Sequence, residues 1–333
     1  MNIIVINFKK HLFTFLSISF IIFLLLFSET NFLATSNGLN IFFNNIFPSL
    51  FPFLVATELL YNSNFIHIAQ KYTKNIIPKL FNVPACSSIA IILGLISGYP
   101  IGAKIITNLK KDNLFTIAEA ERILRFTNNT SPMFIITSIG ISIFSNKTLG
   151  IILLTIHILS AIIVGIIYRF WKYNDKNVVE YSSITLKENK SLKVQTNTID
   201  IFINSINNSI QTIFHIGGFI IIFSVILSIL KSTGILNVLA YLLSLTGISE
   251  SYSTTIIYGL FEISNGMNLL KKIYIPNNII CLIITNYILG FGGISILFQI
   301  YSIISKHRIS IKPYIYGKIL QSIISVILTC IIF

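Results

Sequence analysis

The chain has 333 residues, of which 54% are hydrophobic and only 11% charged, with a mean hydropathy of +0.82. The 24 Lys and Arg against 11 acids give a net charge of +13, which in a soluble protein would point to nucleic acid. Here the basic residues sit between long apolar runs and read as cytoplasmic loop charges, so the composition excludes a soluble domain and predicts an all-α, polytopic helical membrane protein with the lipid bilayer as its partner and no nucleic acid.

In chain order, Lys9, Lys10 and His11 precede an apolar run from Leu12 to Phe27. Ser28-Glu29-Thr30-Asn31 offers no small-residue cleavage site, so the run reads as a retained first helix with its N-terminus in the cytoplasm. The polar stretch from Ser28 to Asn40 reads as an external loop, making residues 1–40 an N-terminal helix and loop. Residues 41–61 return inward, bent at Pro48 and Pro52, with Glu58 near the helix end and read as interfacial.

Residues 85–109 are apolar and long enough to cross a bilayer, which takes about 20 residues. Yet Gly94, Ser97, Gly98, Tyr99, Pro100 and Gly102 crowd the middle, and Pro100 should break a straight helix there. Broken backbone at membrane depth is tolerated only where it is buried in protein or lines a wet cavity. Lys79 before the stretch and Lys110, Lys111, Arg122 and Arg125 after it belong on the cytoplasmic side. A re-entrant hairpin with its tip at Ser97 to Pro100 keeps both clusters there, whereas a plain span does not. Residues 112–125 then read as an amphipathic cytoplasmic helix, 126–144 as an outward span starting with Asn128, Asn129, Ser131 and Pro132, and 149–168 as the return. A charged, hydrophilic linker over 171–205 divides the protein.

The second half repeats the first at an offset of roughly 158 to 165 residues. Gly94 and Gly102 answer to Gly259 and Gly266, Lys110-Lys111 to Lys271-Lys272, and Asn128 to Asn286. Each half holds one span, one broken hairpin and two further spans; three crossings is odd, so the repeats 41–170 and 206–333 should be inverted, the plan of many secondary transporters. That inversion places Lys231, Lys271 and Lys272 outside, against the positive-inside bias.

Two polar clusters fall at membrane depth. The first holds Ser97, Gly98, Tyr99, Gly102 and Lys104, with Asn128, Asn129 and Ser131 on the next helix; the second holds Glu262, Ser264, Asn265 and Gly266, with Asn286 following. Half-helix N-termini at hairpin tips attract carboxylates, and Asn and Ser add donors and acceptors without charge. Two readings of Lys104 stand: snorkelling to the interface, or attracting an anion. Glu262 is harder to treat as filler, because an ionised carboxylate within a span costs at least ~2.5 kcal/mol; proton coupling, ion contact and substrate contact are its candidate roles. The asparagines can equally be inter-helix hydrogen-bond glue, and Gly98 to Gly102 a GxxxG packing motif. Cys86, Cys281, Cys330 and the five histidines show no ligand spacing, and no P-loop, HExxH or GxSxG occurs, so neither an enzyme nor a metal or other cofactor is indicated.

Four segments carry a resemblance: Phe47-Pro-Ser-Leu-Phe-Pro-Phe53, Gly94-Leu-Ile-Ser-Gly-Tyr-Pro-Ile-Gly-Ala-Lys104, Arg125-Phe-Thr-Asn-Asn-Thr-Ser-Pro-Met-Phe134 and Gly259-Leu-Phe-Glu-Ile-Ser-Asn-Gly266. Together they resemble the YlbJ (SpoVV) family of sporulation integral membrane proteins, in the nucleoside-recognition or Gate superfamily related to concentrative nucleoside transporters. The resemblance runs from about Phe42 onward, though residues 204–250 add little to it. It implies a secondary transporter of a small organic anion, dipicolinate, exported from the mother cell across the outer forespore membrane during endospore formation. A nucleoside or other organic-solute carrier and a non-transporting scaffold for spore assembly are the alternatives, and a homo-oligomer is compatible with each.

Overall fold

The computed structural model describes residues 2–63, 65–114, 116–172, 198–276 and 278–333; the linker expected over 171–205 therefore lies largely outside the described residues. Every regular element among the described residues is helical. Helix α1 (Asn2–Leu26) leads into α2 (Ser28–Ile41), which passes through a π-helical turn at Phe42–Ile46 into α3 (Phe47–Tyr61). Residues 28–40 are thus helical and not an external loop. Their isolated polar side chains bond to helix carbonyls: Asn31 Nδ2 donates to Phe23 O (3.1 Å) and Thr35 Oγ1 to Asn31 O (2.8 Å). Pro48 lies in the first turn of α3 and Pro52 inside it, beside the π-turn that widens the ladder.

Short helices α4 (Phe65–Thr73) and α5 (Ile77–Phe81) precede the first hairpin, whose arms are α6 (Ser88–Ser97) and α7 (Ile101–Lys111). Arms of 10 and 11 residues reach only about 15 to 17 Å, so neither crosses a ~30 Å hydrocarbon core. They fold back on each other at Gly94, where a Cβ would lie 3.3 Å from Gly102 Cα and overlap Thr127 O. Gly98 makes the turn, with a φ of +83°.

Helix α8 (Ile117–Thr127) starts at a capping box in which Thr116 and Glu119 serve each other's N–H groups. The amphipathic helix expected over residues 112–125 is present over Ile117–Thr127, and its charged face is turned to other parts of the protein. Arg122 donates to the backbone oxygens of Asn82 and Trp171, Arg125 lies between the Tyr168 and Trp171 rings (3.9 and 4.0 Å), and Glu121 accepts from Lys172 Nζ (3.2 Å) and Ser310 N (3.1 Å). The amphipathic pattern was real, but protein and not water satisfies its polar face. Residues 128–131 then leave the helix, and a π-helical segment at Phe134–Ile141 continues the path to α9 (Lys147–Ile167), capped by Asn146.

The second half runs α10 (Thr198–Ser232), α11 (Ile235–Ser244), a hairpin of α12 (Glu250–Phe261) and α13 (Ile263–Ile273), then α14 (Ile279–Phe291), α15 (Ile294–Ile304) and α16 (Lys312–Ile332). The element order recurs: a long helix, short helices, a two-armed hairpin, an interrupted helix and a terminal helix. The hairpins close alike, for Gly266 packs against Gly259 as Gly102 does against Gly94. Among the described residues, five segments are long and apolar enough to cross a membrane: Ser28–Tyr61, Lys147–Phe170, Thr198–Ser232, Ile279–His307 and Lys312–Ile332. The long α10 packs along α2 and α3 and touches the second hairpin, while α16 packs against α8, α9 and α14.

Candidate functional site

Both hairpin tips and both helix interruptions border one small cavity, with about 40 Å³ of room for the centre of a water-sized molecule. The first tip contributes Tyr99 and the second Glu262, Ile263 and Ser264. The break after α8 contributes Thr130 and Ser131, with Phe134 beyond it, and the start of α15 contributes Ser295, Ile296 and Gln299. Ile46 and Leu50, with Ile216 and Ile220 of α10, close the apolar side. The lining joins apolar walls to a few hydroxyl, amide and carboxyl groups, the mixture usual in small-molecule sites.

Each tip is held by different groups. Tyr99 N–H donates to Asn129 O (2.8 Å), and its hydroxyl pairs with Thr130 Oγ1 (2.9 Å). Ser97 is buried and hydrogen-bonded to Thr57. Gly98 sits against Ser131, where a Cβ would come within 2.8 Å of Ser131 N. At the second tip, Glu262 is the N-cap of α13: its carboxylate accepts from Asn265 N (2.8 Å), while Asn265 Nδ2 donates to Ser224 Oγ on α10 (3.2 Å). The half-helix N-terminus expected to receive a substrate carboxylate is therefore already occupied by the protein's own. Glu262 is the charged residue on the cavity lining.

Of the other expected site residues, Gly102 packs on Thr127 O and Asn128 Oδ1, and Asn128 Oδ1 accepts from Ala103 N (3.3 Å). Gly266 packs on Gly259. Asn286 donates from Nδ2 to Thr329 Oγ1 (2.7 Å) and accepts Ser325 Oγ on its carbonyl (2.8 Å), serving helix packing. Lys104 does not line the cavity: its Nζ lies 2.5 Å from Glu58 Oε1 and 3.3 Å from Thr212 Oγ1. Asn208 Nδ2 adds a 3.4 Å contact to Glu58 Oε2. Glu58, near the end of α3, is thus a buried partner of Lys104, with α3 and α7 bringing the opposite charges together.

A buried network behind the first tip escaped the sequence reading. Lys318 on α16 is fully buried (0% exposed) and donates to Asn129 Oδ1 (3.2 Å) and Gln321 Oε1 (2.8 Å). Gln321 Nε2 donates to Asn129 Oδ1 (3.0 Å) and His157 O (3.3 Å), and His157 Nε2 accepts Thr130 N–H (3.2 Å). The available signal was a lysine inside an apolar run, obscured because Lys312 six residues earlier makes both look like helix-start charges. Thr130, Ser295 and Gln299 were also passed over, since short polar residues in apolar helices are common.

Paired broken hairpins, two interrupted helices and a shared cavity define a transporter-type helical membrane fold. The chain superposes on the concentrative nucleoside transporter CNTnw in an inward-facing, substrate-bound state with a TM-score of 0.57 at 14% identity, covering 97% of this chain and 84% of that one. A single-residue variant of CNTnw in an intermediate state gives 0.55, also at 14% identity, covering 97% and 85%; at such identity the likeness is one of fold. No family model matches the chain. The sporulation integral membrane protein YlbJ of Bacillus subtilis (strain 168) is 29% identical over 309 residues, 89% of this chain and 76% of that protein. The similarity carried by the four sequence segments thus extends over most of the chain, and this integral membrane protein is related to YlbJ and, in fold, to nucleoside transporters.

Proposed function

We propose that the protein is a secondary transporter that moves a small planar organic acid, dipicolinate in the sporulating cell, across the outer forespore membrane. The observation supporting this is the cavity lined by both hairpin tips and both helix breaks, since a scaffold needs no broken backbone gathered at one place. The relation to a sporulation membrane protein supports the setting. In this reading the chain consists of inverted repeats at 41–170 and 206–333, with cytoplasmic N-terminus and first hairpin, and Glu262 couples solute movement to protonation. An ionised Glu262 repels a dicarboxylate, so the acid enters together with a proton. Lys104 is bound to Glu58 and has no direct part in this.

The nucleoside reading rests on a different observation: Glu262, Ser264 and Gln299 offer acceptors and donors suited to sugar hydroxyls, and the structural neighbours are nucleoside transporters. Purified protein in liposomes, offered dipicolinate and uridine across a pH gradient, separates the two. Dipicolinate uptake rising with proton supply, and lost in its pH dependence in Glu262→Gln, is the expected result. Uridine uptake without dipicolinate uptake selects the second reading, and uptake of neither rejects transport of both solute classes.

A further inference from the structure

We infer that one face of α10 lines a water-filled vestibule running from the membrane surface to the cavity, closed at its inner end by the hydrogen bond between His215 and Ser302. That a transported solute takes this path rests on the transport reading above; the hydration of the face does not.

The surface of α10 divides into sectors of opposite character. At about 3.6 residues per turn, Asp200, Asn204, Asn207, Asn208, Gln211 and His215 fall within an arc of about 100°, and all six are exposed. Beside them Ile199, Ile203, Ile210 and Phe214 form an exposed apolar sector of about 60°, while Ser205, Ser209, Ile213 and Ile216 are buried against the protein. The apolar sector suits lipid. The polar one does not, because hydrocarbon gives amide and imidazole groups no partner, and among the described residues none bonds to the side chains of Asn204, Asn207 or Gln211.

Depth decides that this stripe is more than the part of α10 standing above the bilayer. The hairpin arms reach only about half of a ~30 Å core, which sets the cavity near mid-depth. Ile216 lines that cavity and His215 is its chain neighbour. Gln211 and Asn208 lie about 8 and 12 Å farther along the helix axis, short of the ~15 Å to the surface, and Asn204 and Asp200 reach the mouth. A charged wall borders the same space. Lys104, its side chain 28% exposed, lies 3.3 Å from Thr212 Oγ1 and is paired with Glu58, which Asn208 Nδ2 approaches to 3.4 Å. An ammonium partly exposed at this depth is stable facing water and costly facing acyl chains.

The inner end is closed where two helices of the cavity wall meet. Ile216 of α10 and Gln299 of α15 line the cavity. On their stripe side, His215 Nε2 lies 3.0 Å from Ser302 Oγ, which itself donates to Gln299 O (2.7 Å). With that hydroxyl proton engaged, the imidazole donates. The cavity has only about 40 Å³ for the centre of a water-sized molecule, so a solute enters as this bond opens and α10 and α15 part.

The test reads water and assumes no substrate. With the exposed Cys330 replaced by Ser and Cys86 and Cys281 left buried, single cysteines replace Asn208 and Gln211 on the polar sector and Ile210 and Phe214 on the apolar one. A charged, membrane-impermeant methanethiosulfonate is applied from both sides to protein in phosphatidylcholine liposomes. Because a thiol in apolar surroundings stays protonated and unreactive, the polar pair should be modified at least about tenfold faster. Equal rates overturn the inference: fast at both sectors means that this half of α10 stands in bulk water, and slow at both means that the stripe is dry. Slow modification with disulfide-linked dimers of Gln211→Cys assigns the face to a second copy and overturns it too. Should Asn208→Cys not fold, Gln211→Cys, which has no bond to lose, decides alone. For the inner end, Ser302→Ala should raise the modification rate of Ser295→Cys on the cavity lining severalfold, and an unchanged rate overturns the closure. Dipicolinate and uridine uptake forms a separate arm. A fast polar sector without uptake of either solute removes the transport reading and leaves the vestibule standing, and uptake with a slow polar sector does the reverse.

Discussion

The first hairpin turns over three residues, Gly98 to Pro100, and the second over one, Glu262. The longer turn depends on its neighbours: Tyr99 N–H needs Asn129 O, and the Gly94–Gly102 crossing rests on the Thr127 carbonyl. The shorter one serves itself, its own carboxylate closing the helix that follows; of its two crossing glycines, Gly266 meets Gly259 backbone and Gly259 meets the Ile288 side chain. Both are tied to α10, the first through Lys104 and Thr212, the second through Asn265 and Ser224. One tip is therefore fixed by surrounding backbone, while the other carries the ionisable group and can change its charge without unmaking the turn.

The sharpest way to break this contrast is at the crossing glycines. In Gly94→Ala the new methyl meets backbone on both sides, Thr127 O and Gly102 Cα, and overpacking that cannot relax costs about 3 kcal/mol or more. Thermal unfolding in detergent should show most of the folded protein lost. In Gly259→Ala the nearest atoms belong to the Ile288 side chain, which can shift where backbone cannot; the cost should be lower, about 1 kcal/mol, and partly relieved by Ile288→Val, which removes the nearest atom, Cδ1. Equal losses at the two glycines would erase the distinction.

The ties to α10 come next. Lys104→Met leaves Glu58 buried without its partner; with the lysine side chain 28% exposed, the loss should be about 2 kcal/mol, below that of a fully buried pair. Asn265→Ala gives up one neutral hydrogen bond, about 1 kcal/mol. Chemical denaturation of both variants and of Lys104→Met/Glu58→Gln measures the difference, and the double variant should recover part of the first loss.

At the tips themselves, Glu262→Ala should cost about 1 kcal/mol as a lost cap, whereas Glu262→Gln keeps an acceptor for Asn265 N and should cost less. A larger loss in Gln than in Ala would show that charge, not capping, holds α13. Tyr99→Phe should be milder still, about 0.5 kcal/mol, because the tip is held by a backbone N–H that the substitution leaves in place.

Local chemistry made the hairpins legible in the sequence: Pro100 among glycines within an apolar run, and Glu262 inside a second such run at the expected offset. Tyr99, Ser131, Glu262 and Ser264 were read as site residues and line the cavity. What stayed hidden was pairing over distance. Glu58 and Lys104 are 46 positions apart and Lys318 and Asn129 are 189 apart, so nothing local marks either contact. Residues 28–40 were misread as a loop and the partners of α8 went unseen for a common reason: in a membrane helix a polar side chain can be satisfied by its own backbone or by another helix, and composition does not say which.

Helix α16 is synthesised after every element it serves. Gln321 and Lys318 complete the interruption that follows α8, and Ser325 and Thr329 hold Asn286 of α14. Until those turns leave the ribosome and enter the bilayer, two stretches of polar chain sit in the membrane without their partners, in the state that membrane quality-control proteases detect. Both stretches thus wait on α16 for their partners, and a chain stopped before Lys312 should be degraded even though both hairpins are already made.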